Sequence, residues 1–422
     1  MMVLLFGIAL WGLFAVTLGR EDGALATSFQ VMRTATYNES AWFRSAALTH
    51  SRSSAAALCP ELPPLLVPHA NARNGGNSSA LPQAVSSYQK LLWFVALAPP
   101  RPGPVRGREK QSLRFVDALK VSVLSARLNA PSLEPHLIYL GQPDTVTGWM
   151  ESKGVTVHFR VLSFWSSLSR TQRTFRHSDN YINYGAYGRL EIPLVMSELL
   201  GAGQGKLFAS DGSSVDPEFV LYTDSDVIFA QDVPPRSIHP PNVIAAALEG
   251  FFPGINSGVL YMNVQAMIRE HPRIIAFGHA SKWDFELLDQ TLIENYFAQD
   301  AAPNIDILPD IYNARGLFND CNATFMPANR SLWSTIDVEA KLKDSNLHSP
   351  GTCSNAIIWH FHGYKPWDVK CWFMTIQKGQ RDWRDRCRWH KFISPGPCFL
   401  LTYAHLLESW SMILAPEKNG LK

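Results

Sequence analysis

Leu91–Leu97 (LLWFVAL) is a continuous apolar run of strand length. It opens an alternation that limits the folds open to the chain. Arg114–Leu128 has helical spacing at Phe115, Leu119, Val123 and Leu124, Leu137–Leu140 (LIYL) is again strand-like, and Val155–Leu162 alternates. Arg189–Leu200 reads as helix, and Phe219–Phe229 (FVLYTDSDVIF) reads as a further apolar strand interrupted by carboxylates. Strands alternating with helices predict an α/β fold, with a mostly parallel central sheet and helices on both faces. In such sheets ligands gather at the carboxyl ends of the strands. The 422 residues allow two or three domains of ordinary size or one large α/β domain with additions, and 46% apolar residues against 18% charged are enough for a sizeable core. The sum of 38 basic and 36 acidic side chains is +2, which lacks the basic excess of a nucleic-acid binder. No internal repeat argues for a solenoid or propeller.

The ends of the chain differ from this middle. Val3–Leu18 is an apolar run of 16 residues, short of the ~20 that a comfortable membrane span needs. It fits the core of a secretory signal, with Thr17 and Gly19 as small residues near a cleavage point, or a short uncleaved anchor with a lumenal body. Either reading sends the chain into the secretory pathway, to the Golgi lumen or membrane or to secretion. The Asn-x-Ser/Thr triplets at Asn38, Asn77, Asn322 and Asn329 agree with that address. Residues 20–87, rich in Ala, Ser and Asn, read as a loosely ordered stem. Cys321, Cys353, Cys371, Cys387 and Cys398 crowd the last quarter, with Cys59 far upstream; no CxxC pair points to zinc, and some disulfides are expected in an oxidising compartment. Cys398–Pro416, interrupted by His405 and Glu408, reads as a packing helix and not a second span.

The chemistry gathers in four places. Asp224 and Asp226 stand inside an otherwise apolar run, where burial is costly unless something neutralises them. At i and i+2 of an extended chain they point the same way and can share a hard divalent cation. The bland reading is a turn with solvated acids. Asn256-Ser257-Gly258 precedes Val259-Leu260-Tyr261-Met262; taken alone it reads as a simple turn, although a Gly entering a strand also marks a close approach. Asp289-Gln290 lies in a helical pattern with Phe285, Leu288, Leu292 and Ile293, where an exposed polar pair would be ordinary. The run from Ile357 ends a short apolar strand in His360, His362, Gly363, Lys365 and Pro366, a combination suited to a metal and a phosphate.

Taken in order, AYGRLEIP (Ala186–Pro193), VLYTDSDVIF (Val220–Phe229), INSGVLYMN (Ile255–Asn263), LDQTLIENYF (Leu288–Phe297), ILPDIYN (Ile307–Asn313) and HFHGYKPW (His360–Trp367) resemble family 8 glycosyltransferases. That group contains glycogenin, bacterial lipooligosaccharide galactosyltransferases and plant galacturonosyltransferase-like proteins. The resemblance covers residues 88–375 and implies a single Rossmann-like GT-A catalytic domain there. Residues 1–19 would be signal or anchor, 20–87 a disordered stem and 376–422 a Cys-containing C-terminal extension. It further implies a UDP-sugar donor, a glycan or glycoprotein acceptor, no nucleic acid, and transfer with retention. By position, Asp224, Asp226 and His360 would hold the metal, with His362 as the competing ligand. Lys365 would neutralise a phosphate and Arg189 would reach the donor, with Tyr222, Ser225, Gly258 and Gly363 also lining the donor site. Asn256 and Asp289 would contact sugar hydroxyls, and Gln290 would lie near the reacting carbon. A mixed oxygen and imidazole shell suits Mn²⁺, while Mg²⁺, the alternative, prefers oxygen alone.

Two departures accompany the resemblance. The spacing from His360 to the Lys-Pro-Trp triplet is one residue shorter than in relatives. The first strand runs into Pro99–Glu109 (PPRPGPVRGRE), a stiff, basic segment, where relatives have a short loop touching the nucleotide base. The alternative from another class is a catalytically inactive GT-A domain that binds glycans or serves as an assembly subunit. A general nucleotide-diphosphate hydrolase is a third, which the sugar-contact motifs fit less well.

Overall fold

The computed structural model describes residues 89–99, 109–171, 185–202, 207–249, 254–285, 287–299, 302–314 and 356–361. These all fall in one of the chain's two compact units, Leu65–Gly363 with Ser409–Lys422. The proposed signal, stem and C-terminal extension, all six cysteines, the four Asn-x-Ser/Thr sites, His362, Gly363 and Lys365 lie outside the described residues. Among the described residues no helix is long and apolar enough to cross a membrane.

In chain order the strands are β1 (Lys90–Leu97), β2 (Leu133–Tyr139), β3 (Thr156–Phe159), β4 (Leu207–Phe208), β5 (Ser214–Thr223), β6 (Val227–Phe229), β7 (Ile244–Leu248), β8 (Ile255–Asn263), β9 (Asp306–Ile307) and β10 (Ile358–His360). The helices are α1 (Glu109–Asn129), α2 (Thr145–Ser152), α3 (Trp165–Thr171), α4 (Ile192–Ala202), α5 (Val264–Ala280) and α6 (Asp289–Phe297). The main sheet runs β3-β2-β1-β5-β8-β7-β9, with β4 on β5. β3, β2, β1 and β5 are parallel, as are β7 and β9, whereas β8 is antiparallel to both β5 and β7. The fold is therefore α/β with a mostly parallel central sheet.

β1 shows why its run is apolar throughout. Leu92, Phe94 and Ala96 pack on one face with Val195 and Met196 of α4 and Ile274 of α5. Leu91, Trp93 and Val95 pack on the other face with Leu119 and Val123 of α1. A strand covered on both faces has no solvated positions to fill with polar side chains. Helix α1 covers more than its Arg114–Leu128 pattern, and Arg189 lies in a 3-10 turn (Gly188–Glu191) that leads into α4.

Two strand readings change. The alternating stretch Val155–Leu162 is strand only over Thr156–Phe159, because β2 offers four register partners, His136–Tyr139. Phe219–Phe229 is two strands in two sheets: β5 lies in the main sheet, and β6 leaves it to pair antiparallel with β10. Asp224 and Asp226 thus occupy a bend, not one extended strand, and the i, i+2 geometry is not what brings them together.

Inside the sheet, His136 on β2 and His158 on β3 stack 5.1 Å apart and share a hydrogen bond of 2.8 Å between His136 Nδ1 and His158 Nε2. Burial, and then the neighbouring His158, lower His136 to about 3; burial, and then Arg160, lower His158 to about 4. Both are neutral in the folded protein near pH 6.5, while the unfolded chain takes up protons there. This contribution to stability is complete above pH 6.5 and is lost as pH falls toward 4. Urea midpoints should drop over that window, and H136Q with H158Q should flatten the drop; an identical pH profile in the double variant would remove the assignment.

Candidate metal centre

The acidic bend is held by backbone and hydroxyl groups from three directions. Asp224 N–H donates to Gly258 O of β8 at 2.7 Å. Buried Ser122 of α1 places its Oγ 2.6 Å from Ser225 O and 2.8 Å from Val227 O, and accepts from Val227 N–H at 3.3 Å. Ser125, one turn on, accepts from Phe229 N–H at 3.1 Å. On the third side β10 pairs with β6, placing His360 opposite Val227, and Phe361 N–H donates to Asp226 O at 3.0 Å. Backbone register therefore delivers an imidazole from late in the chain to the two carboxylates.

His360 Nε2 lies 3.7 Å from Asp224 Oδ2 and 3.7 Å from Asp226 Oδ1. One ligand atom from each residue falls within 4.8 Å of the others, so Asp224, Asp226 and His360 could hold a metal ion. Ligand atoms about 2.1 Å from one ion sit about 3 to 4.2 Å from each other, so two oxygens and a nitrogen at these separations fit a small divalent cation with little movement. His360 and Asp226 are buried, whereas the Asp224 side chain is 32% exposed, so the open side is the Asp224 side.

A second charge cluster adjoins the first. Buried Arg189 sends Nη2 to Asp224 Oδ1 at 2.8 Å, places Nε 2.9 Å from Asp289 Oδ2 and donates from Nη1 to Ser257 O. Its guanidinium stacks 4.4 Å from the Tyr222 ring, and Tyr222 Oη donates to Asp224 Oδ1 at 2.9 Å. Burial opposes the Arg189 charge, but Asp289, Tyr222 and Asp224 outweigh it and hold the group above its ordinary value. Burial pushes Asp289 up to about 6, against the pull of Arg189 and with a further push from Asp224. Among the described groups, one guanidinium thus faces Asp224, Asp226 and Asp289, and a divalent cation would offset the negative charge of this carboxylate cluster.

The structure brings together Arg189, Tyr222, Asp224, Ser225, Asp226, Asn256, Gly258, Asp289, Gln290 and His360. Asn256-Ser257-Gly258 is not a turn but the start of β8. Asp289 and Gln290 are buried at the start of α6, with Ser257 Oγ donating to Asp289 Oδ2 at 3.3 Å and Ser257 N–H donating to Gln290 Oε1 at 3.4 Å. Sequence reasoning passed over Ser122 and Ser125, whose signal was polar residues at helical spacing on an otherwise apolar face of α1. Asn313 ends the ILPDIYN segment with no role marked by its neighbours, and Glu249 follows an apolar strand with nothing to single it out.

No protein-family model matches the chain, and no curated protein matches it. Solved structures similar to it include the glycosyltransferase GlyE of Streptococcus pneumoniae TIGR4, in its apo form (17% identity, TM-score 0.40, over 79% of this chain and 64% of that one). An active-site mutant of LgtC is 15% identical with TM-score 0.40, over 65% of this chain and 89% of that one. The bifunctional glycosyltransferase WbbM, also apo, is 14% identical with TM-score 0.37, over 74% and 52%. The chain thus spans less than two thirds of GlyE.

Gly258 has a steric duty. A Cβ built there would lie 2.0 Å from His360 Cε1, far inside van der Waals contact with the imidazole edge. Gly258→Ala is expected to unseat His360, with overpacking lowering stability by about 1–3 kcal/mol. Any rise in melting temperature that Mn²⁺ gives the wild type should shrink or vanish in this variant. An undiminished Mn²⁺ effect would show that His360 is not a ligand.

Proposed function

We propose that this chain is a metal-dependent glycosyltransferase of the GT-A, family 8 type that transfers a hexosyl or pentosyl group from a UDP-sugar to a glycan or glycoprotein acceptor, with retention. The observation that carries the reading is the convergence of Asp224, Asp226 and His360 at the carboxyl end of β5. Six ordered sequence motifs of a glycosyltransferase family surround these same residues, which adds support.

Each residue has a physical task in this reading. Asp224 and Asp226 offer anionic oxygens, and His360 offers Nε2. A divalent cation held by these three residues, Mn²⁺ by preference, would supply stabilisation of the negative charge on a departing diphosphate. Arg189 fixes the Asp224 Oδ1 that it shares with Tyr222, leaving Oδ2 on the His360 side. Asp289 and Gln290, seated against Ser257, form the neighbouring wall. The donor sugar belongs beside them in this reading. Lys365 would face a phosphate and the N-terminal run would give a Golgi address, both on sequence grounds.

Asp226→Asn should stay folded and lose transfer by at least ~100-fold, since the missing charge sits where leaving-group charge develops. Full turnover by that variant with Mn²⁺ contradicts the metal assignment. Calorimetry with UDP and Mn²⁺ should show metal-dependent UDP binding. Glycan binding without UDP binding would instead identify an inactive GT-A domain with an assembly role. Slow hydrolysis of UDP-glucose, UDP-galactose, UDP-xylose or UDP-galacturonate then names the sugar.

A further inference from the structure

Behind His360 a line of buried amides runs away from the acidic bend. His360 Nδ1 lies 3.0 Å from Asn313 Oδ1, Asn313 Nδ2 donates to Asn256 Oδ1 at 2.9 Å, and Asn256 Nδ2 donates to Glu249 Oε2 at 2.8 Å. All four side chains are buried, and Asn313 is fully so. The amide orientations follow from groups that have only one role. Gly258 N–H is an obligate donor and reaches Asn256 Oδ1 at 3.1 Å, so that atom is the oxygen. The Nδ2 of Asn256 then faces the Glu249 carboxylate, which accepts. With Asn256 Oδ1 an acceptor, the atom of Asn313 that meets it is Nδ2, and Asn313 presents its oxygen to His360. The imidazole must answer with Nδ1–H. In the neutral ring Nε2 is then the lone-pair nitrogen, and it faces Asp224 and Asp226.

We propose that Glu249, Asn256 and Asn313 form a positioning relay that fixes His360 in the Nδ1–H tautomer and aims Nε2 at the metal position. The relay explains the placement of each part. The turn at Asp310–Tyr312 leads straight into Asn313, and Ala314 clips to β10 through Ala314 N–H to Ile358 O at 2.9 Å and His360 N–H to Ala314 O at 2.9 Å. The two backbone bonds hold the Asn313 amide beside the ring. Asn256 sits where β8 meets β7, within reach of Glu249, and takes the Gly258 amide two residues along its own strand. A metal-binding histidine gains both orientation and basicity when its second ring nitrogen donates to a fixed acceptor. Here the acceptor is a neutral amide, held by a carboxylate at the far end.

The proposal rests on the metal reading of the site, but its first test needs neither metal nor sugar. In metal-free protein labelled with 15N-histidine, at a pH where the ring is neutral, the His360 signal, identified by its absence in His360→Gln, should show Nδ1 protonated and Nε2 not. An Nε2–H tautomer in the wild type overturns the relay whether or not the protein transfers sugars. Asn313→Leu removes the acceptor; the ring should shift toward Nε2–H, and Mn²⁺ affinity by calorimetry should fall roughly 10- to 100-fold. Asn313→Asp restores an acceptor and should restore the Nδ1–H tautomer, which a purely packing role would not do. Wild-type tautomer and affinity in Asn313→Leu would overturn the proposal, as would an Nε2–H ring in Asn313→Asp. If Asn313→Leu does not fold, the wild-type and Asn313→Asp spectra decide it.

Discussion

The antiparallel pairing of β6 with β10 is the contact on which the site depends. It is short, with register partners Phe229 to Ile358, Ile228 to Trp359 and Val227 to His360. Its consequence is large because His360 and Asp226 flank it on the same end. A slip of one residue would turn His360 to the opposite face and leave two carboxylates without their imidazole. The backbone bond from Phe361 to Asp226, and the bonds from Ala314 to β10, guard that register.

The second constraint is electrostatic. Three carboxylates, Asp224, Asp226 and Asp289, crowd a buried region in which Arg189 is the guanidinium that bridges two of them. Such a cluster is unfavourable on its own terms, since buried like charges raise each other's energy. Arg189 lies against the Tyr222 ring and chelates the backbone of Ser257, so it cannot swing out to solvent without breaking several bonds at once. The structure therefore holds a fixed cation on one side of Asp224 and leaves the other side facing His360 Nε2. A divalent ion held there would offset the carboxylate charge with little movement of the frame.

Much of this was legible in the order of residues. The unbroken apolar run of β1 announced a strand covered on both faces, and the helical spacing of Phe115, Leu119 and Val123 announced α1. Paired acids in an apolar setting marked Asp224 and Asp226, and a histidine at a strand end marked His360. Other parts were not legible. Asp224-Ser225-Asp226 looked like part of one strand because Val227–Phe229 is as apolar as Val220–Tyr222, and composition does not tell which sheet a strand joins. Asn256-Ser257-Gly258 resembled a turn because small polar residues serve both turns and crowded strand starts. Glu249 carries no local signal, since its partner Asn256 is chosen by β7–β8 pairing.

By itself the sequence determined the periodicities, and with them an alternating α/β chain with a mostly parallel sheet, and it named the acids and the imidazole as candidate ligands. Only the tertiary structure decided that these groups meet. It also decided that Gly258 is small because a ring fills the space beside it, and that Asn313 and Asn256 back that ring. The physical reason is range: periodicity and propensity act over a few residues, whereas ligand distance, charge balance and tautomer are set by strand register and hydrogen bonds between segments far apart in the chain.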